Sequence, residues 1–169
     1  YIDIHGNVQI DYKFEYALHF SEDIAAVYFD GKWGYIDLNG NIIIKPQYEL
    51  AFSYKNGLSL IKKNNKYGFI DKFNNMVISP QFDFAGEFSE GLAAVKIGNK
   101  YGFINTSGII EINPIYDAAY NFNEGMSRVQ LDDKYGYIDK SGNVVIALCY
   151  DDAGDFRDGL AYVKSYKYG

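Results

Sequence analysis

Short runs in which apolar and polar residues alternate, each closed by a glycine or asparagine turn, follow one another along the whole chain. No long stretch carries apolar residues at i, i+3, i+4 and i+7. A period of two predicts strands, so the chain reads as all-β. The order of the runs also returns. An aromatic residue followed by glycine occurs at Trp33-Gly34, Tyr67-Gly68, Tyr101-Gly102, Tyr135-Gly136 and Tyr168-Gly169. A spacing held at about 34 residues means one supersecondary unit copied along the chain. Residues 1–169 are therefore expected to form a single repeat domain of repeats 1–34, 35–68, 69–102, 103–136 and 137–169. Because the chain starts and stops at one phase of that period, it reads as an excerpt of a longer array.

Residues 69–102 serve as the type repeat. Phe69-Ile70-Asp71 leads into a turn whose sixth position is Gly6, Gly40, Asn74, Gly108 and Gly142 in the five copies. Glycine four times and asparagine once is what a left-handed position selects. With Asp3, Asp37, Asp71, Asn105 and Asp139 at the third position, a bulged hairpin turn is predicted. A second strand follows at Met76-Val77-Ile78, and Pro46, Pro80 and Pro114 are expected to end its ladder. An irregular connection then carries an aromatic, an alanine present in all five copies (Ala17, Ala51, Ala85, Ala119, Ala153) and a second aromatic. It ends at a Glu90-Gly91 turn, whose glycine position is Asp23 in the first repeat. The third strand starts at Leu92. Its core parity holds small residues at 25, 59, 93, 127 and 161 and aliphatics at 27, 61, 95, 129 and 163, and the opposite parity varies.

Each repeat is thus a three-stranded antiparallel meander with the aromatic–glycine pair in its central strand. Isoleucine fills positions 2, 36, 70, 104 and 138 of that strand, opposite in parity to the aromatics, so both of its faces are expected to be covered. A lone three-stranded sheet cannot do this, so the repeats must stack. The glycine fits such stacking by letting a neighbouring backbone or ring approach. The expected architecture is an open β-solenoid or superhelical array. The alternative is a closed five-bladed β-propeller, for which a unit of this length is short but whose closure would hide sheet edges.

Composition narrows the function classes. Seventeen tyrosines dominate an aromatic content of 18%, and the net charge of −6 excludes nucleic acid as a partner, since phosphates demand a basic surface. Charge is uneven: residues 1–34 hold two lysines against six acids, whereas 35–68 hold five lysines against two. One cysteine, Cys149, permits no internal disulfide. No apolar run approaches the ~20 residues needed to span a membrane, and no targeting segment is visible, so the compartment is left open.

The segments Gly31-Lys32-Trp33-Gly34-Tyr35-Ile36-Asp37, Pro80-Gln81-Phe82-Asp83 and Phe88-Ser89-Glu90-Gly91-Leu92-Ala93-Ala94-Val95 resemble the bacterial WG, or KWG, β-repeat family. The resemblance covers the whole chain. It departs in having tryptophan once, with tyrosine in the other four pairs, a change that keeps the amphipathic ring. The family resemblance implies an interaction module without an established set of catalytic residues.

The residues themselves assemble no catalytic, cofactor or metal site. His5 and His19 both fall in the first repeat with no acid or thiol motif around them and are expected at the surface or in turns. Cys149, beside Tyr150, is expected to be a small core-filling thiol. Asp151, Asp152, Asp155 and Asp158 hint at calcium, yet they lack the D-x-D-x-D-G spacing and read as turn acids. The signature pairs at 33–34, 67–68, 101–102, 135–136 and 168–169 read as structural. What can serve binding are aromatics outside the repeat pattern: Tyr28, Tyr120 and Tyr162 first, then Tyr16 and Tyr166. The expectation is a non-enzymatic repeat scaffold for a protein or peptide. The alternative is a lectin-like, carbohydrate-binding module that stacks those tyrosines on sugar rings.

Overall fold

Turn chemistry sets where each strand begins and stops. Asp30-Gly31, Asn64-Asn65 and Asp132-Asp133 all have positive φ and close two-residue hairpins, the geometry that matches strand twist. The computed structural model describes residues 1–166 and contains strands and turns, with no helix among the described residues. It forms two compact units, Tyr1–Gln81 and Phe82–Gly169.

In the first unit, β1 (Tyr16–Ala17), β2 (Ile24–Phe29), β3 (Lys32–Asp37) and β4 (Ile42–Tyr48) make an antiparallel sheet in sequence order. The second sheet repeats this with β5 (Leu50–Ala51), β6 (Leu58–Lys63), β7 (Lys66–Asp71) and β8 (Met76–Phe82). In the second unit, β9 (Phe84–Ala85), β10 (Leu92–Ile97), β11 (Lys100–Asn105) and β12 (Ile110–Tyr116) form the third sheet. The fourth comprises β13 (Ala118–Ala119), β14 (Met126–Leu131), β15 (Lys134–Asp139) and β16 (Val144–Tyr150). The described residues end with a two-stranded sheet of β17 (Asp152–Ala153) and β18 (Val163–Lys164). The chain is all-β, a tandem array of open antiparallel sheets. The meander expected from the sequence is β2–β3–β4. The segment read as an irregular connection adds a fourth strand, too short for a period of two to show.

The β3–β4 turn takes the expected form. Gly40 N–H donates to the Asp37 carbonyl at 3.0 Å, and the Asp37 carboxylate accepts from the backbone of Asn39 and Asn41 at 2.9 and 2.8 Å. Gly40 has φ 78°, and Asn74 holds the same place with φ 66°.

The signature glycine has a cause different from the stacking expected of it. Trp33 pairs with Tyr48 and Tyr35 with Ile44, so Lys45, Pro46 and Gln47 stand opposite Gly34 alone. This is a bulge with two extra residues in β4, and its backbone fills the space a side chain would need. A Cβ on Gly34 would lie 2.5 Å from the Ile44 carbonyl oxygen and 2.9 Å from Pro46 N. Gly68, Gly102 and Gly136 meet the same backbone at 2.4–2.6 Å. Pro46 therefore does not end the ladder as expected; it sits inside β4, in the bulge, where its missing N–H costs no hydrogen bond.

Packing between successive sheets is visible within each unit. In the first, Ile24, Ala26, Tyr35, Ile44 and Tyr48 of one sheet bury against Ala51, Tyr54, Ile61 and Ile70 of the next. In the second, Leu92, Ala94, Phe103, Ile112 and Tyr116 bury against Phe122, Val129 and Ile138. An aromatic pair recurs at one offset in the period: Tyr35–Tyr54 at 5.1 Å, Phe103–Phe122 at 4.9 Å and Tyr137–Phe156 at 4.9 Å between ring centroids. The position read as freely variable in the third strand, held by Ala26, Leu60 and Ala94, is buried. The first sheet shows the reason. Ala26 joins the core shared with the second sheet, while Ala25 and Val27 pack with Ile10, so both faces of β2 are covered. Cys149 is exposed, against expectation. It belongs to the β16 bulge, in the outward position that Gln47 and Ile115 hold elsewhere.

Candidate binding site

Most side chains with chemistry are engaged by the frame. Three columns of acids each bind backbone N–H groups. The Asp37 column closes the β3–β4 turn, with Asp71 and Asp139 making the same bonds and Asn105 replacing them once. Hydrogen bonds from the Asn41 side chain, then from backbone N–H groups, hold the Asp37 carboxyl below the usual carboxylate range. A second column clips one sheet to the next. Glu22 accepts from Gly57 N–H and Glu90 from Gly125 N–H, both at 3.1 Å, and Glu124 accepts from Gly159 N–H at 2.9 Å. Lys72 and Lys140 pair with Glu22 and Glu90 at 3.1 and 2.9 Å. The third column caps the central hairpin: Asp83 accepts from Gly98 N–H at 2.8 Å and Asp117 from Asp132 N–H at 2.9 Å.

Asp151 belongs to this third column, accepting from Tyr166 N–H and pairing with Lys134, both at 2.5 Å. Asp158, with φ 52°, occupies the left-handed turn position of the Glu90 column. Among the described residues, no three His, Cys, Asp or Glu side chains gather as a metal site. His5 and His19 are not brought together: His5 and its neighbours are exposed in the first turn, and His19 precedes β2.

What varies on this frame is a cross-strand row near the hairpin end of each sheet. In the first sheet it reads Tyr16, Tyr28, Trp33, with Tyr16 paired to Tyr28 and Tyr28 to Trp33. Ring centroids are 5.8 Å apart for Tyr16–Tyr28 and 5.5 Å for Tyr28–Trp33. Tyr16 is 66% exposed, and the other two rings are half-buried. The equivalent rows are Leu50, Lys62, Tyr67, then Phe84, Lys96, Tyr101, then Ala118, Gln130, Tyr135. Lys62 lies over the Tyr67 ring at 5.5 Å and Lys96 over Tyr101 at 5.4 Å. In the fourth sheet Arg128, on the same strand as Gln130, reaches over Tyr135 at 5.8 Å.

The second unit also holds a cleft of about 540 Å³ between its third and fourth sheets. Phe84 and Tyr101 line one side, Tyr120, Asn121 and Asn123 the other, and Asp155 and Arg157 its end. The Arg128 guanidinium stacks on the Tyr120 ring at 3.7 Å, donates to the Ala153 carbonyl and pairs with Asp155 at 3.4 Å. Burial and then the Tyr120 hydroxyl raise the Tyr135 phenol above its usual value.

The tyrosines singled out from the sequence therefore fall in different places. Tyr28 is the middle ring of the first sheet's row, and Tyr120 lines the cleft. Tyr162, 62% exposed, lies against Gly154, where a methyl group would meet its ring. Tyr166 is exposed, with Lys164 over its ring at 4.4 Å. Of the signature pairs, Trp33-Gly34, Tyr67-Gly68, Tyr101-Gly102 and Tyr135-Gly136 lie in β3, β7, β11 and β15, and Tyr168-Gly169 lies outside the described residues. Phe84, Asn121 and Asn123 carry no signal in the sequence, because pattern alone does not show that a loop faces the preceding sheet's ring row.

A family model described as WG containing repeat matches the chain five times, at residues 1–33, 33–67, 67–101, 101–135 and 135–167. No curated protein sequence matches it. Among solved structures, a chain in a complex of S. cerevisiae Dbp5 bound to Nup159, Gle1, IP6 and ADP is similar at a TM-score of 0.50 and 9% identity. That likeness covers 92% of this chain and 45% of the other, and it is one of fold alone. The hemopexin fold protein CP4 from cow pea gives a TM-score of 0.33 at 14% identity over 90% of this chain and 92% of that one. A 2S albumin seed protein from Dolichos gives 0.33 at 13% identity over 91% and 92%.

Proposed function

Because the chain belongs to the WG containing repeat family, we propose that it is a non-enzymatic repeat scaffold that binds a protein or peptide. The observation that supports this reading is the division of labour within each repeat. Columns of Asp, Glu, Gly and buried aromatics are spent on turns, bulges and clips between sheets, while the cross-strand rows change composition from sheet to sheet. A constant frame carrying variable rows suits recognition of an extended partner, with main-chain spacing giving register and side chains giving choice. Panning a random peptide library against the protein and mapping selected peptides by amide chemical-shift changes tests it. Saturable binding at the rows supports the scaffold, and failure of every peptide to bind sinks it.

The cleft favours a second reading. Aromatic walls at Phe84, Tyr101 and Tyr120 with the amides of Asn121 and Asn123 are the groups that stack on and hydrogen-bond sugar rings. Saturable glycan binding abolished by Tyr120→Ala would establish it in place of the first.

A further inference from the structure

Internal comparison of the four-stranded sheets isolates one departure. In the second, third and fourth sheets the central-strand aromatic (Tyr67, Tyr101, Tyr135) carries a cation from the adjacent strand, Lys62, Lys96 or Arg128. In the first sheet the position of Lys62 and Lys96 is Tyr28. Among the described residues no lysine or arginine lies over the rings of Tyr16, Tyr28 or Trp33. Lys32, beside Trp33, pairs with Phe29 and has the opposite parity on its strand. The first sheet therefore offers three contiguous π systems where each of its siblings sets a cation of its own over the central-strand ring.

Charge points to the occupant. Residues 1–34 hold six acids against two lysines. Of these acids, Asp30 stands two residues after Tyr28, in the turn at the hairpin end of the row. Negative ring faces in a repeat with this acidic excess attract a cation and fit the flat guanidinium or the ammonium of a long side chain.

We propose that the Tyr16–Tyr28–Trp33 row of the first sheet binds a lysine or arginine side chain of a basic peptide, taking the place that Lys62 and Lys96 fill internally. This rests on the peptide-scaffold reading and names its ligand class and site.

Trp33 is the sole tryptophan, so its fluorescence reports on the row directly. The probe is acetyl-Gly-Lys-Gly-Lys-Gly-amide, with the same peptide carrying glutamine for lysine as neutral control and maltohexaose as the sugar control. A saturable change with the lysine peptide, weaker by about fivefold or more with the glutamine peptide, is expected. Tyr28→Lys installs the residue that folded sister sheets already carry, and it should weaken lysine-peptide binding by about the same factor. Lys96→Tyr creates the converse, an all-aromatic row between Phe84 and Tyr101 in the third sheet, and calorimetry should show the stoichiometry rise from one to two. Equal binding of the neutral peptide, unchanged binding by Tyr28→Lys with unchanged stoichiometry in Lys96→Tyr, or a response to maltohexaose alone overturns the site. Selected peptides that bind elsewhere overturn this site and leave the scaffold standing. Failure of all library peptides overturns both.

Discussion

Gly102→Ala puts the origin of the aromatic–glycine signature to a quantitative test. Gly102 does not have a positive φ, so backbone conformation alone does not require glycine. What requires it is space. An added Cβ would lie 2.4 Å from the Ile112 carbonyl oxygen, 2.7 Å from Pro114 N and 2.8 Å from the Asn113 carbonyl carbon. All three are backbone atoms of the bulged β12, so no flexible side chain can yield. Forced overpacking of this kind costs about 1–3 kcal/mol and occasionally more. Alanine returns about 0.4–1 kcal/mol by restricting the unfolded chain. With the clash at the upper end, a net loss of about 2 kcal/mol or more follows. Gly98→Ala is the control: its φ is 61° but no atom lies within 4 Å of an added Cβ, so it costs about 1 kcal/mol. Urea unfolding followed by circular dichroism gives both values, and hydrogen exchange in β12 locates the loss. If Gly102→Ala is no more harmful than Gly98→Ala, the bulge is not what fixes the glycine.

The sheet interface makes Phe122, fully buried against Phe103, a costly position; Phe122→Ala should lose about 3–5 kcal/mol in urea unfolding, and a loss below about 1 kcal/mol would contradict the packing described. Asp23 holds φ 68° where four sister turns place Gly57, Gly91, Gly125 and Gly159, so Asp23→Gly should stabilise by about 0.5–1 kcal/mol, read as a raised melting temperature. Asp37 is held below the ordinary carboxylate value, so the stability it adds is present above that value and is lost as pH falls through the lower folded one. Asp37→Asn, copying the Asn105 turn, should leave stability near neutral pH little changed and shrink its loss between about pH 5 and 2. An identical acid loss in the variant would exclude this carboxyl as a contributor.

The period, the long strands, the turn glycines and the family can all be read from the chain itself. These depend on residue spacing and on which side chains tolerate a left-handed backbone, and both are local. Gly40 and Asn74 identify their turn without reference to any distant atom. Gly34 does not: its cause is a bulge in the next strand, where Pro46 sits inside a strand that pattern alone ends early. The short fourth strand of each sheet is invisible in the sequence because two residues cannot show an alternation. Cys149 reads as buried until the bulge is known, since the bulge shifts the face on which later residues emerge. The Asp37 column is legible as a turn from its phase with the turn glycine, whereas the role of Glu90 is not, because its partner is Gly125 of the next sheet. The tyrosines can be named from the sequence but not grouped. Only strand register aligns Tyr16, Tyr28 and Trp33 into one row, because cross-strand neighbours are set by pairing over distances the local sequence does not encode.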